Sequence, residues 1–215
     1  MRKSFHESIK ELKNEMLKMG SMVEEAIHDS VKALKEQDLD LATQVMDGDD
    51  KIDDFEVELE ERCTRLIALQ QPVAKDLRTI IVISKLATDL ERIGDHASNI
   101  ARMVHQIGKE PLIKPLIDIP RMTEIVTRRL RESLDAFVNL DIELAKKVAR
   151  EDEEVDILDE QILRELLTFM IEDPSKIRQA TSLMFVSRFL ERIGDHSTNI
   201  CERVIYMVSG ERKAY

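Results

Sequence analysis

Leu90–Ile100 reads LERIGDHASNI and Leu190–Ile200 reads LERIGDHSTNI, nine identities in eleven at an offset of 100. On a helix, residues four apart share a face, about 40° apart around the axis. Each copy therefore sets two acidic side chains side by side, Glu91 with Asp95 and Glu191 with Asp195. The pairs are either ligands for a cation or two more charges on a solvated surface. The apolar spacing of the stretch continues in both directions. Ile83, Leu86, Leu90, Ile93, Ala97, Ile100, Val104 and Ile107 alternate steps of three and four, the seam of a helix packed lengthwise in a bundle. The second copy repeats the seam from Leu183 to Met207. With Leu90 and Ile93 on the seam, Glu91 and Asp95 fall on its far side, which predicts that they point outward.

Upstream, Ile9, Leu12, Met16, Met19 and Val23 make a helical stripe within a segment from about Phe5 to Glu36. Asp38 has the side chain to cap a second helix, Leu39 to about Leu69, by accepting a bond from a free backbone amide. Gly48 is expected to interrupt that helix, and Gln70-Gln71-Pro72 to end it. The third helix spans about Val73 to Ile107. Residues 108–120, GKEPLIKPLIDIP, hold one Gly and three Pro and cannot be one continuous helix.

After this boundary the plan returns. Met122, Val126, Leu130, Leu134 and Phe137 match Met19, Val23, Ile27, Val31 and Leu34 at an offset of 103, and Asp141 matches the cap Asp38. Asp173-Pro174 ends the fifth helix and the offset falls to 100 for the sixth. The expected fold is all-α, an elongated six-helix bundle made of two tandem three-helix repeats. Its parts are a first repeat over 1–107, a linker over 108–120 and a second repeat over 121–215.

Composition supports this reading: 43% hydrophobic, 35% charged, six Gly, five Pro and no Trp. A net charge of −11 argues against a general nucleic-acid binder and against charge anchoring on anionic lipid. Cys63 and Cys201 form no metal-binding spacing and fit a reducing compartment as small core residues. No stretch has the length and apolarity of a membrane span or a secretion signal, so a cytoplasmic protein is expected.

The repeat exposes a second acidic motif. Asp49 and Asp53 match Asp152 and Asp156, and Glu56 matches Asp159, all at 103. If the second and third helices of each repeat adjoin, their carboxylate pairs converge at one rim. Crowded carboxylates repel and call for a counter-ion. A set of oxygens suits magnesium, calcium, manganese or ferric iron, and no His or Cys among them has zinc spacing. Acidic surface is the ordinary alternative in a chain with 43 Asp and Glu. Against it, flanking surface positions drifted between the halves while these carboxylates were kept.

Other features read as structural. His28 of Glu25-x-x-His28 is matched by Arg131 and reads as surface. His96 and His196 lie away from the carboxylate face and read as packing or interface groups, and Gly94 and Gly194 as points of close helix approach. Asn99 and Asn199 extend the acidic stripe by a turn. Arg78 and Arg178 either meet an anionic partner or pair with nearby acids.

With ERIGDH-x-x-NI present twice and QPVAKDLR at Gln71–Arg78, the chain resembles the PhoU family over nearly its whole length. The resemblance implies a duplicated three-helix bundle. It also implies metal-holding [ED]-x-x-x-D pairs at Asp49/Asp53, Glu91/Asp95, Asp152/Asp156 and Glu191/Asp195, with iron, magnesium, manganese or zinc as the ions. The counterpart of the QPVAKDLR segment in the second half, Pro174–Arg178, is degenerate, so its contacts are expected in the first half only. The resemblance implies a regulator rather than an enzyme. Such a protein restrains phosphate uptake by the phosphate ABC transporter, contacting its ATPase subunit, and reports to a sensor histidine kinase. A homodimer is expected. A metal-dependent phosphohydrolase or a metal store using the same carboxylates is the alternative.

Overall fold

A computed structural model of the chain describes residues 2–151 and 153–211. They form α1 (Arg2–Glu36), α2 (Leu39–Gln70), α3 (Ala74–Ile107), α4 (Asp118–Asn139), α5 (Ile142–Arg150), α6 (Glu153–Glu172) and α7 (Ile177–Ser209), with a 3-10 turn over Pro174–Lys176. The expected all-helical, duplicated bundle is what forms. The fifth of the six expected helices comes as two segments, α5 and α6.

Local chemistry places the ends. Asp38 accepts bonds from the Asp40 and Leu41 amides at 3.0 Å, and Asp141 accepts from Leu144 at 3.0 Å. Each such cap stabilises its helix by about 1 kcal/mol. The expected interruption at Gly48 does not occur: α2 runs through it. One interior glycine costs only about 1 kcal/mol, and buried Val45 and Ile52 hold the helix down on either side. The break falls instead in the other half, at Glu151, whose backbone leaves the helix at φ −84° and ψ 16°.

Two helices form the centre. α3 packs against α1, α2 and α7, while α7 packs against α3, α4, α5 and α6. Leu86, Leu90 and Ile93 of α3 and Val186, Leu190 and Ile193 of α7 are completely shielded, which stabilises the bundle by about 1.5–3 kcal/mol per large side chain. α3 and α7 run antiparallel, since Asp89 meets both His196 and Arg203 while Arg78, one end earlier on α3, lies over the ring of Tyr206. Both cysteines are buried, and burial pushes the Cys63 thiol up to about 11 and that of Cys201 up to about 12, which makes them inert.

The α3–α7 junction is not uniformly apolar. Asp89, 5% exposed at its side chain, lies 3.2 Å from His196 Nδ1 and accepts a bond from Arg203 Nε at 2.5 Å. The equivalent of Asp89 in the second half is Phe189, and it stacks on His96 with ring centroids 5.8 Å apart. His96 also faces His196 at 5.7 Å. Burial, reinforced by His196, holds the His96 imidazole down to about 4, so it is neutral at ordinary pH. Both histidines are interface groups, as their position on the repeat predicts.

The linker is pinned at both ends. The Gln37 amide donates to the carbonyls of Gly108 and Glu110, at 3.0 and 2.6 Å. Gln179 accepts from the Ile113 amide at 2.6 Å and donates to Pro111 O at 3.1 Å. Arg178 pairs with Glu110 at 2.6 Å, whereas Arg78 packs beside Gly210, so the two arginines have parted roles. His28 is exposed and pairs with its neighbour Asp29. Among the described residues no helix is long and apolar enough to cross a membrane.

Candidate metal centre

In the first half, α2 lies alongside α3 and brings Asp49, Asp53, Glu91 and Asp95 together. The approach is close because Gly94 has no side chain: a Cβ there would stand 3.0 Å from Ile52 Cδ1 and 3.5 Å from Asp49 Oδ1. The expectation that Glu91 points outward is corrected. Its side chain is only 14% exposed, and that of Glu191 only 11%. A seam argument assumes one packed face, but α3 is covered from three sides, so the edge beside the seam is also occupied. Asp53 and Asp156 are exposed, and Asp95 and Asp195 are partly so. Asp152 lies outside the described residues.

The electrostatics follow from this crowding. Burial, then the charges of Asp95, Glu56 and Asp53, push the Glu91 carboxyl up to about 7 against the pull of Arg92. Asp49 is raised by burial and by Asp53 and Asp95 against the pull of the Ser98 hydroxyl and Arg102; Asp53 is raised by burial and by Asp95, Asp50 and Asp54 against Arg92. Asp49 Oδ1 and Glu91 Oε2 are both buried and accept no hydrogen bond. An anion in such a place is stabilised by a cation or loses its charge. Arg92 is the cation at hand, with Nε 3.3 Å from Glu91 and Nη1 3.0 Å from Asp95. It is more than half exposed and reaches the cluster from its rim.

In the second half Glu191 Oε2 is likewise buried without a hydrogen-bond partner, and burial raises its carboxyl. Arg192 stands to Glu191 and Asp195 as Arg92 does to its pair, at 3.6 and 3.0 Å. Arg188, where the first half has Thr88, adds contacts of 2.9 Å to Glu191 and 3.7 Å to Asp159. Arg129, where the first half has Ala26, is completely buried. A Cβ at Gly194 would meet Arg129 Nη1 at 3.1 Å, the place where Gly94 faces a carboxylate oxygen. Arg129 Nη2 donates to Thr198 at 2.7 Å. Arg188 pairs with Asp159 as well as Glu191, and the Ser187 hydroxyl donates to Asp159 at 2.6 Å. Sequence reasoning missed Arg129 and Arg188. The signal available was the mismatch of small against large cationic residues between otherwise matched halves.

A metal ion is tested against this arrangement by its donors. Buried carboxylate oxygens that accept no hydrogen bond, on facing helices, are the donor type a hard cation takes, so the first-half residues fit one. As the side chains stand, with arginines at the rims, no three Asp, Glu, His or Cys among the described residues are gathered around a single point. Asn99, expected to extend the acidic stripe, accepts instead from Arg102 at 2.8 Å.

Fold and site together define a duplicated three-helix bundle with acidic pairs on adjoining helices of each unit. The family model for the PhoU domain matches this chain twice, over residues 16–104 and 119–204. The phosphate-specific transport system accessory protein PhoU homolog of Clostridium acetobutylicum is 43% identical over 212 residues, 98% of this chain and 97% of that one. The PhoU accessory protein of Escherichia coli is 38% identical over 207 residues, 96% of this chain and 86% of that one. The crystal structure of PhoU from Pseudomonas aeruginosa superposes with a TM-score of 0.92 at 42% identity, covering 96% of this chain and all of that one. The phosphate transport system regulatory protein PhoU from Streptococcus pneumoniae superposes at 0.91 with 30% identity, covering 98% of this chain and all of that one. The chain belongs to the PhoU family.

Proposed function

We propose that this protein is a cytoplasmic regulator of phosphate homeostasis. It restrains uptake by the phosphate ABC transporter through the ATPase subunit, and it signals phosphate sufficiency to a sensor histidine kinase, keeping the starvation response silent. It acts by docking, as a homodimer, and not as an enzyme. The observation that carries this reading is the match of both halves to accessory proteins of the phosphate-specific transport system, along nearly the full chain. The carboxylate faces supply the mechanism. Asp49, Asp53, Glu91 and Asp95, with Asp152, Asp156, Glu191 and Asp195 as their counterparts, are ligands for divalent or ferric ions such as iron, magnesium, manganese or zinc. A bound cation supplies positive charge that releases the repulsion among them and turns an acidic rim into one that accepts anionic groups of a partner. This chain's own part is to hold the oxygens on two rigid helices, kept close by Gly94.

The test is capture of the purified transporter ATPase subunit and of the kinase's cytoplasmic part on the immobilised protein, with manganese and after chelation. Both partners should be retained with metal, and retention should fall at least about fivefold on chelation, a difference of about 1 kcal/mol. Retention that ignores the chelator would remove the cation from the mechanism. Absence of retention under every condition would remove the docking itself.

A further inference from the structure

α1 and α2 part to leave an open cleft of about 510 Å3, and none of Asp49, Asp53, Glu91 and Asp95 lines it. Met22 and Ala26 of α1 with Leu41, Val45 and Ile52 of α2 give it an apolar floor, and Glu25, Asp29 and Asp47 stand around it with Lys51. Neither Glu25 nor Asp47 is paired among the described residues. Gly48 forms part of the wall, well inside α2, and a Cβ there would meet nothing within 4 Å. A glycine inside a helix costs stability against alanine, and no packing within the chain asks for one here. Bare backbone at that point lets a second chain lying in the cleft come close.

The matching place in the second half is rich in cations of its own. At an offset of 103, Glu25 and Asp47 become Arg128 and Arg150, Gln44 becomes Lys147, Ala26 becomes Arg129 and Gly48 becomes Glu151. Arg128 lies 2.8 Å from Glu151 and 3.8 Å from Glu132, and Lys147 lies 3.6 Å from Glu132 and 3.7 Å from Glu151, so cations tie α4 to the end of α5. Glu25 and Asp47 are both acids and cannot make that tie. We propose that the α1–α2 cleft is a docking groove for a cationic amphipathic helix of a partner protein, with its apolar stripe on the floor and its arginines or lysines against Glu25, Asp29 and Asp47. The lining runs from Met22 to Asp29 and from Leu41 to Ile52, about 10 and about 16 Å of helix, which accommodates two to three turns of a third. A helix in a groove anchors itself by apolar residues three and four apart, and the acidic rim repels nucleic acid and anionic lipid. The groove needs no metal, so it stands apart from the carboxylate-face mechanism above.

The experiment is fluorescence anisotropy of a labelled helical peptide of about 18 residues, a leucine stripe flanked by arginines, titrated with the full-length protein in chelator at about 150 mM salt. Wild type should bind it. The same peptide with glutamates for arginines, or with its leucines scattered off the stripe, should bind at least about tenfold more weakly. Glu25→Gln/Asp47→Asn should lose at least about tenfold. Gly48→Gln, which enters open space and removes a helix-interior glycine, should lose at least about fivefold while its unfolding midpoint holds or rises. Asp135→Asn/Glu172→Gln, which removes as much charge from exposed sites of the second half, should stay within about twofold. Equal losses in the two carboxylate variants would reduce the binding to unspecific charge attraction and overturn the groove, as would a folded Gly48→Gln that binds like wild type. If Gly48→Gln does not fold by circular dichroism, the two carboxylate variants decide. Equal binding of the scattered peptide would overturn the helical occupant, and no binding by wild type would overturn the proposal outright. Capture of the transporter ATPase subunit and the kinase, read separately, judges the regulatory function itself.

Discussion

Asp89→Ala is expected to lower stability by about 2–3 kcal/mol, because it strips the partner from the Arg203 guanidinium and the His196 imidazole at a buried junction. Asp89 sits where α3 and α7 cross, facing His196 and accepting from Arg203. Loss of one member of a buried pair costs about 3–5 kcal/mol in general. The lower figure applies here because Arg203 is about a third exposed and can turn to water. For a chain of this size the unfolding midpoint should fall by roughly 5–10 °C. Arg131→Ala is the control. It removes an ion pair to Glu24 of 2.6 Å whose arginine is well exposed, and such pairs contribute about 0–1 kcal/mol. Thermal unfolding of both variants separates the cases, and equal midpoints would show that the junction is held by its apolar seam alone.

Glu91→Gln is expected to stabilise the metal-free protein, and to do so only at higher pH. The folded state holds Glu91 up to about 7, from an ordinary 4.5, through burial and then the neighbouring acids. The folded protein therefore binds more protons than the unfolded chain between those values, and stability falls as pH rises through that window. Glutamine removes the cost of the buried charge. Discounted for screening by solvent and Arg92, the gain is about 1–2 kcal/mol at about pH 8 and vanishes below about pH 4, where the carboxyl is protonated in both states. His96 has the opposite sign: held down to about 4, it makes stability rise with pH up to its ordinary 6.5. Since both proteins keep His96, its contribution cancels in the difference. Denaturant unfolding in chelator at several pH values measures the gap, and a destabilised variant at high pH would show that the Glu91 charge is already well compensated by Arg92. Saturating manganese should reverse the order, because the charge is then what binds.

Much of the fold was legible, and for identifiable reasons. The seam residues from Ile83 to Ile107 are all buried but for the polar intervals, and the caps at Asp38 and Asp141 bond as their chemistry requires. These features depend on local spacing and on one side chain reaching its own helix end. What was illegible depends on neighbours distant in sequence. Glu91 reads as a surface residue in a two-sided heptad, and only the covering of α3 by α1, α2 and α7 puts it inside. Asp89 interrupts nothing in the pattern, yet it is a buried acid because residues more than 100 positions later supply its partners. Arg129, in a run of Thr-Arg-Arg-Leu, reads as a solvated charge and is completely buried. The contrast between Gly48, where the helix continues, and Glu151, where it breaks, shows that packing on both flanks outweighs a glycine's local cost.

The account turns on where a cation binds. Crystals of the full chain soaked in manganese, with anomalous scattering recorded at the manganese absorption edge, locate the ion directly. The predicted map has a peak between α2 and α3 within reach of Asp49, Asp53, Glu91 and Asp95. No peak between α2 and α3 would contradict it.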